Sequence, residues 1–296
     1  MRDSRMRAGA LLTMLGGALW GFSGTCGQFL LQSRGWTSGY LVPLRLMAAG
    51  LILVLFCAVR RGREVLRIFK EDALGIIIFA ILGMSACQYT YYQAIAYSNA
   101  GTATVLQYTG PVMILCWTSL RQKRMPRPIE IAAIVLAMAG TYLLATHGRP
   151  GSMALSPKAL FWGLVSAVSL VVYTVQPVDL LNKYGSPMVT GWGMLIGGVV
   201  LSLLFRPWTM SIRFDGMVML ALTAIIALGS ITAFTAYLEG VRRVGPKKGS
   251  LYASVEPVSA TLFSTVMMGS TFEMMDLAGF ACIISTIFLL AADKKD

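Results

Sequence analysis

Histidine is almost missing: His147 is the only one, which excludes imidazole clusters that hold metals and paired-histidine sites. Charge is scarce too. Asp, Glu, Lys and Arg make up 13% of the 296 residues, about half the share in a soluble globular domain. A soluble enzyme or a disordered chain is therefore not expected. Acidic residues are the rarer sign, 13 against 25 bases. The five cysteines, Cys26, Cys57, Cys87, Cys116 and Cys282, lie in apolar runs, form no C-x-x-C and are odd in number. They read as small packing residues and not as a disulfide framework. No glycine cluster sits in a strand–loop–helix context, so no phosphate-binding loop is implied. Neither a metal nor a cofactor is expected.

What the chain has instead is apolar sequence: 56% of residues are hydrophobic and the mean hydropathy is +0.68. A membrane span needs about 20 such residues. Ten candidate spans follow, at 8–31, 38–59, 73–97, 100–120, 129–146, 158–178, 187–205, 215–238, 246–268 and 275–292. Only Ser98-Asn99 separates the third from the fourth, so those two must form a tight hairpin. The start (Arg2, Arg5, Arg7, then an apolar run) resembles a signal peptide, but the run exceeds an h-region and lacks a small-residue cleavage site, so it reads as span one. With the N-terminus in the cytoplasm, nineteen Lys and Arg fall on inside segments and five on outside ones, with Arg45 inside a span. That asymmetry predicts a multi-pass inner-membrane protein with both termini cytoplasmic. The bases are scattered over six segments with no continuous stripe, so lipid and not nucleic acid is the expected partner.

Shifting the chain by 146 residues superimposes Leu82-Gly83 on Leu228-Gly229, Tyr91 on Tyr237, Pro111-Val112 on Pro257-Val258 and Glu130 on Asp276. The frame runs ungapped from 82 to 145. Each half, 1–148 and 149–296, then carries five spans. Five is odd, so the second half starts from the other side of the membrane and is inverted. The fold expected is an all-α polytopic membrane protein: ten helices as two inverted five-helix repeats around a central cavity. Spans one and six, three and eight, and four and nine are expected to pair around that cavity.

Trp20-Gly21 in span one, Arg45 early in span two, Gly110-Pro111 answered by Glu256-Pro257, and Glu273 before the last span resemble the EamA-like members of the drug/metabolite transporter superfamily. The resemblance covers essentially the whole chain. It implies a bacterial inner-membrane carrier with a central cavity, whose relatives export amino acids or other small metabolites, and it places Trp20 and Arg45 in the functional pattern.

Ionisable groups inside spans cost roughly 2.5–3.5 kcal/mol on insertion scales and are functional candidates by default. Glu256 precedes Pro257, which frees a backbone carbonyl and bends a helix. As a functional group it would bind a substrate ammonium or carry a coupling proton. As a structural one it would cap the freed backbone or pair with Arg45. For Arg45 the favoured role is structural, with carboxylate binding or snorkelling to the outer interface as alternatives. Glu239 is expected to pair with Arg243, and His147 to be an exposed loop residue. A polar set completes the pathway: Gln28, Gln88, Tyr91, Thr104, Gln107, Tyr108, Ser169, Tyr173, Gln176, Tyr237 and Tyr252. Gln88–Tyr91, Thr104–Gln107, Ser169–Tyr173 and Tyr252–Glu256 each share a helix face. Glue between helices is the structural reading of the same residues.

These features predict a secondary transporter, an exporter of small metabolites such as amino acids, working by alternating access as a monomer, with a dimer as the alternative assembly. A coupling proton is a further expected partner. A channel and an intramembrane enzyme are the competing readings. The enzyme is disfavoured because no clustered nucleophile and base appears at midplane depth.

Overall fold

Hydrocarbon offers no partner to a backbone N–H or C=O, so each apolar run must satisfy its own. The computed structural model describes residues 2–110, 112, 113, 123, 125–149 and 154–292, and these are helices joined by turns and short irregular segments, with no strand among them. The helices are α1 Arg2–Gln28, α2 Ser38–Arg61, α3 Ala73–Tyr97, α4 Ala100–Gln107, α5 Pro128–Thr146, α6 Pro157–Val175, α7 Ser186–Phe205, α8 Gly216–Val244, α9 Val255–Met268 and α10 Met274–Ala292. Six described helical segments are long and apolar enough to cross a membrane. Pro111 and Cys116 lie outside the described residues.

Helix ends follow local chemistry. Asn99 accepts from the Thr102 N–H at 2.8 Å and starts α4 directly after α3, which makes the tight hairpin. Ser156 and Asp215 cap α6 and α8 in the same way. Span nine is not one helix: Pro246–Ala253 stops, Ser254 turns, and Pro257 falls in the first turn of α9. A proline costs little there, because first-turn N–H groups have no partner in any case.

Two segments wind as π-helix, Phe79–Ser85 within α3 and Ile225–Thr232 within α8. The Ser85 hydroxyl donates to the Ala80 carbonyl at 2.6 Å and the Ser230 hydroxyl to that of Ile225 at 2.9 Å, each five residues back. Moving the chain by 146 positions carries Phe79 onto Ile225 and α5 onto α10 from first residue to last.

In the packing, α1 lies against α8 and α9, α3 and α4 against α6, α2 against α7, α4 against α9 and α5 against α10. The expected pairing of spans one with six and three with eight is thus exchanged: α1 neighbours α8, and α3 neighbours α6. Small residues set these distances. A Cβ on Gly21 would lie 2.6 Å from the Ala260 nitrogen and 3.0 Å from the Glu256 carbonyl, so only glycine lets α1 seat on the first turns of α9. The four cysteines described are unpaired, and Cys26, Cys57 and Cys87 are buried.

Candidate functional site

A cavity opens where α1, α2, α3, α4, α6, α8 and α9 converge. Its empty space is about 340 Å³, including the part continuous with solvent. The first half contributes Trp20, Ser23, Arg45, Cys87, Gln88, Tyr91, Tyr92 and Gln107; the second contributes Leu170, Tyr173, Phe234 and Glu256.

Arg45 is 1% exposed, so it does not snorkel to an interface. Its Nε donates to the Ser230 hydroxyl at 3.1 Å and its Nη1 to the Tyr92 hydroxyl at 2.5 Å. The guanidinium also lies over the rings of Tyr92 and Phe234, at 5.0 and 5.9 Å. Every one of these partners is neutral. Glu256 faces the same cavity and is 3% exposed, yet forms no ion pair with Arg45 or with any described residue. Among the described residues its carboxyl group has one hydrogen-bond partner, Tyr108, whose hydroxyl lies 2.6 Å from the Ala253 carbonyl and 3.1 Å from Glu256 Oε2. That hydroxyl has one proton for two acceptors. The cavity therefore holds a guanidinium and a carboxyl group, neither of them paired with an opposite charge among the described residues. The Arg45–Glu256 pair that one structural reading of Glu256 offered is absent.

An aromatic group forms one wall. Trp20 sits 4.8 Å from Phe234, 4.7 Å from Tyr237 and 6.2 Å from Tyr173, with ring planes tilted or edge-on. Trp20 Nε1 and the Tyr173 hydroxyl are buried and have no hydrogen-bond partner among the described residues.

Of the residues singled out from sequence, Trp20, Arg45, Gln88, Tyr91, Gln107, Tyr173 and Glu256 meet at the cavity. Thr104 stands one layer out, bonded to the Tyr91 hydroxyl at 2.7 Å, as Tyr108 does behind Glu256. Tyr237 stacks on Tyr173 at 6.0 Å and bonds Thr174 at 3.2 Å. Four others are elsewhere. Gln28 clasps one end of the bundle: its Oε1 accepts from the Ala100 N–H at 2.9 Å and the Ser264 hydroxyl at 2.8 Å, and its Nε2 donates to Ser270 at 3.2 Å. Ser169 donates back to the Val165 carbonyl, Gln176 donates to the Gly75 carbonyl, and Tyr252 is half-buried away from the cavity. Pro257 shapes the start of α9 and does not line the cavity. Ser23, Cys87, Tyr92, Leu170 and Phe234 were not anticipated. Tyr92 was detectable, because a buried arginine on α2 needs acceptors and Tyr92 adjoins Tyr91.

Charges outside the cavity organise the ends. At the end opposite the Gln28 clasp, Lys183 pairs with Glu71 at 2.9 Å and Asp72 at 2.6 Å. Asp72, in the turn before α3, has its carboxyl held below the usual carboxylate range, first by the hydrogen bond from Lys183 and then by that from Tyr184. Glu239 bonds Arg243 as expected and Arg242 as well. His147 is not a free loop residue: its two ring nitrogens meet Glu273 at 3.1 Å and Asp276 at 3.0 Å, tying the end of α5 to the start of α10.

Comparison with known proteins gives a consistent result. A family model described as the EamA-like transporter family matches residues 7–146 and again 157–292. The inner membrane transporter YicL of Salmonella typhimurium is 35% identical over 98% of this chain and 97% of its own length. The inner membrane transporter YedA of Escherichia coli is 26% identical over 88% of this chain and 83% of its own. The threonine/homoserine exporter RhtA of Salmonella typhimurium is 23% identical over 83% and 79%. A solved crystal structure shares the fold with a TM-score of 0.65, covering 98% of this chain and 97% of that one at 19% identity.

Proposed function

The chain belongs to the EamA-like transporter family, and from that premise we propose that it is a secondary transporter exporting small metabolites, amino acids among them, across the bacterial inner membrane by alternating access. The observation that carries this reading is the cavity, where the Arg45 guanidinium and the Glu256 carboxyl group face the same space beside an aromatic wall, without an ion-pair partner among the described residues. Burying either charge without compensation is costly. A ligand with a group of each sign relieves both at once, and amino acids have that form.

The mechanism proposed uses ten helices as two inverted repeats, 1–148 and 149–296, rocking about a site between them. Three features support it: the 146-residue frame, the matching π segments, and a neighbour pattern that survives exchange of the halves. Under that exchange α1–α8 becomes α6–α3, α1–α9 becomes α6–α4, and α2–α7, α4–α9 and α5–α10 map onto themselves. In this reading both termini are cytoplasmic, one chain encloses the site, and the Gln28 clasp closes the outer end while the Lys183 cluster closes the inner one. Reconstituted protein loaded with an amino acid should show saturable uptake of the labelled compound and trans-stimulation by the unlabelled one. Flux without saturation or trans-stimulation would instead mark a channel.

A further inference from the structure

We propose that Arg45, Trp20 and Tyr173 form a subsite for a substrate carboxylate, so that the substrate class is small organic carboxylates with a flat apolar body, and the amine is secondary. This rests on the transporter reading above and specifies which end of the ligand is recognised most strongly.

Two independent observations converge. The first is the guanidinium, fully buried, with hydrogen bonds only from Nε and Nη1, both to neutral hydroxyls. Among the described residues its remaining donors meet no acceptor, and no carboxylate reaches ion-pair distance. The second is the pair of orphans. Trp20 and Tyr173 are 8% and 1% exposed, line the same cavity as Arg45, and leave the indole N–H and the phenol hydroxyl unbonded. An indole nitrogen can only donate, and a buried donor left unbonded costs the full desolvation of its group. Three unsatisfied donors around one cavity are complemented by an acceptor-rich anion.

The geometry further selects a carboxylate. Only one cationic side chain, Arg45, lines the cavity, which matches a single negative charge better than the two of a phosphate monoester. A planar guanidinium binds a planar carboxylate through parallel N–H donors. Beside it the rings of Trp20, Tyr173 and Phe234 pack edge-on into one apolar wall, with Phe234 at 4.8 Å from Trp20 and 5.6 Å from Tyr173, and a flat apolar body laid against that wall would meet aromatic surface.

The test is isothermal titration of the purified full chain with phenylacetate, phenylalanine and phenethylamine, which carry the carboxylate alone, both groups and the amine alone. Phenylacetate and phenylalanine should bind, and phenethylamine should not. Tyr173→Phe keeps the ring and removes the hydroxyl, Trp20→Phe keeps a smaller aromatic ring and removes the indole N–H, and each should weaken carboxylate binding about tenfold, the scale of a hydrogen bond to a charged group. Arg45→Gln should abolish it. If that variant fails to fold, the two ring-retaining variants decide the matter alone. Binding of phenethylamine as tight as that of phenylacetate, no binding of either carboxylate, or unchanged affinity in both ring variants would each overturn the subsite. The two readings fail separately. A carboxylate that binds but shows no counterflow removes the carrier and leaves the subsite, whereas counterflow of a compound lacking a carboxylate does the reverse.

Discussion

Replacing Gly21 with alanine adds one methyl group where α1 meets α9, and the size of the effect can be worked out. The new Cβ runs into Ser259 Oγ and lies 2.6 Å from the Ala260 nitrogen, 0.8 Å short of the 3.4 Å at which ordinary contact begins. Ser259 can rotate away, at the loss of its 3.0 Å bond to the Glu256 carbonyl, but the α9 backbone can relieve the rest only by moving. Overpacking of this kind costs about 1–3 kcal/mol. Alanine returns about 1 kcal/mol in helix propensity, so the net loss should be about 0–2 kcal/mol. The displaced turn carries Glu256, so transport should fall as well. Melting of the purified protein in detergent and counterflow in proteoliposomes measure the two effects together. The decisive comparison is Gly21→Ala combined with Ser259→Ala, which removes the side-chain clash and leaves the backbone one. Recovery should be partial. Full recovery of both readings would refute the argument that the backbone approach of α1 to α9 sets the position of Glu256.

Glu256→Gln keeps shape and hydrogen-bonding capacity while removing the charge, and should nearly abolish transport with the melting temperature retained. Normal transport with a lowered melting temperature would assign Glu256 a structural role. Asp72 has a lowered folded value, so its contribution to stability is present above the ordinary carboxylate range and is lost as pH falls through that lowered value. The difference in melting temperature between wild type and Asp72→Asn should therefore persist at neutral pH and vanish only on the acid side of the usual range. In a cysteine-free background, cysteines at Arg34 and Arg149 should be labelled from outside intact cells and one at Arg63 spared, with the reverse pattern overturning the proposed orientation.

Hydropathy reveals where helices lie because the solvent forces it, and the Asn99 and Pro257 signals fixed local breaks that the structure repeats. Which face of a helix meets the cavity was harder to read. In α6 and α8 Leu170 and Phe234 each stand among other apolar residues, Val171 and Val172 beside the one and Ala233 beside the other, so hydropathy alone does not separate a wall residue from one that meets lipid. Polar spacing worked within one turn, bringing Gln88 with Tyr91, but it could not tell Gln28, bonded to Ala100 and Ser264, from a cavity residue. Glutamine serves both purposes. The π segments add a further reason: a 3.6-residue period carried through 79–85 misplaces one end of α3 by about 100° relative to the other. Arg45 was read as structural because a sequence shows a charge but not whether anything opposes it.

Those wide turns also bear on how the spans can change in length. A π turn holds one residue more than an α turn, and it does so without altering the direction in which the flanking helix faces point. Removing one residue between Phe79 and Ser85 would let the turn tighten to α and leave Gln88 and Tyr91 aimed as before, and the same holds for Phe234 and Tyr237 after a deletion between Ile225 and Thr232. A deletion elsewhere in either helix would swing everything beyond it by about 100° and draw it in by about 1.5 Å. Each of these spans thus carries one spare residue, stored at a point where length can be gained or lost while the alignment of the cavity wall is kept.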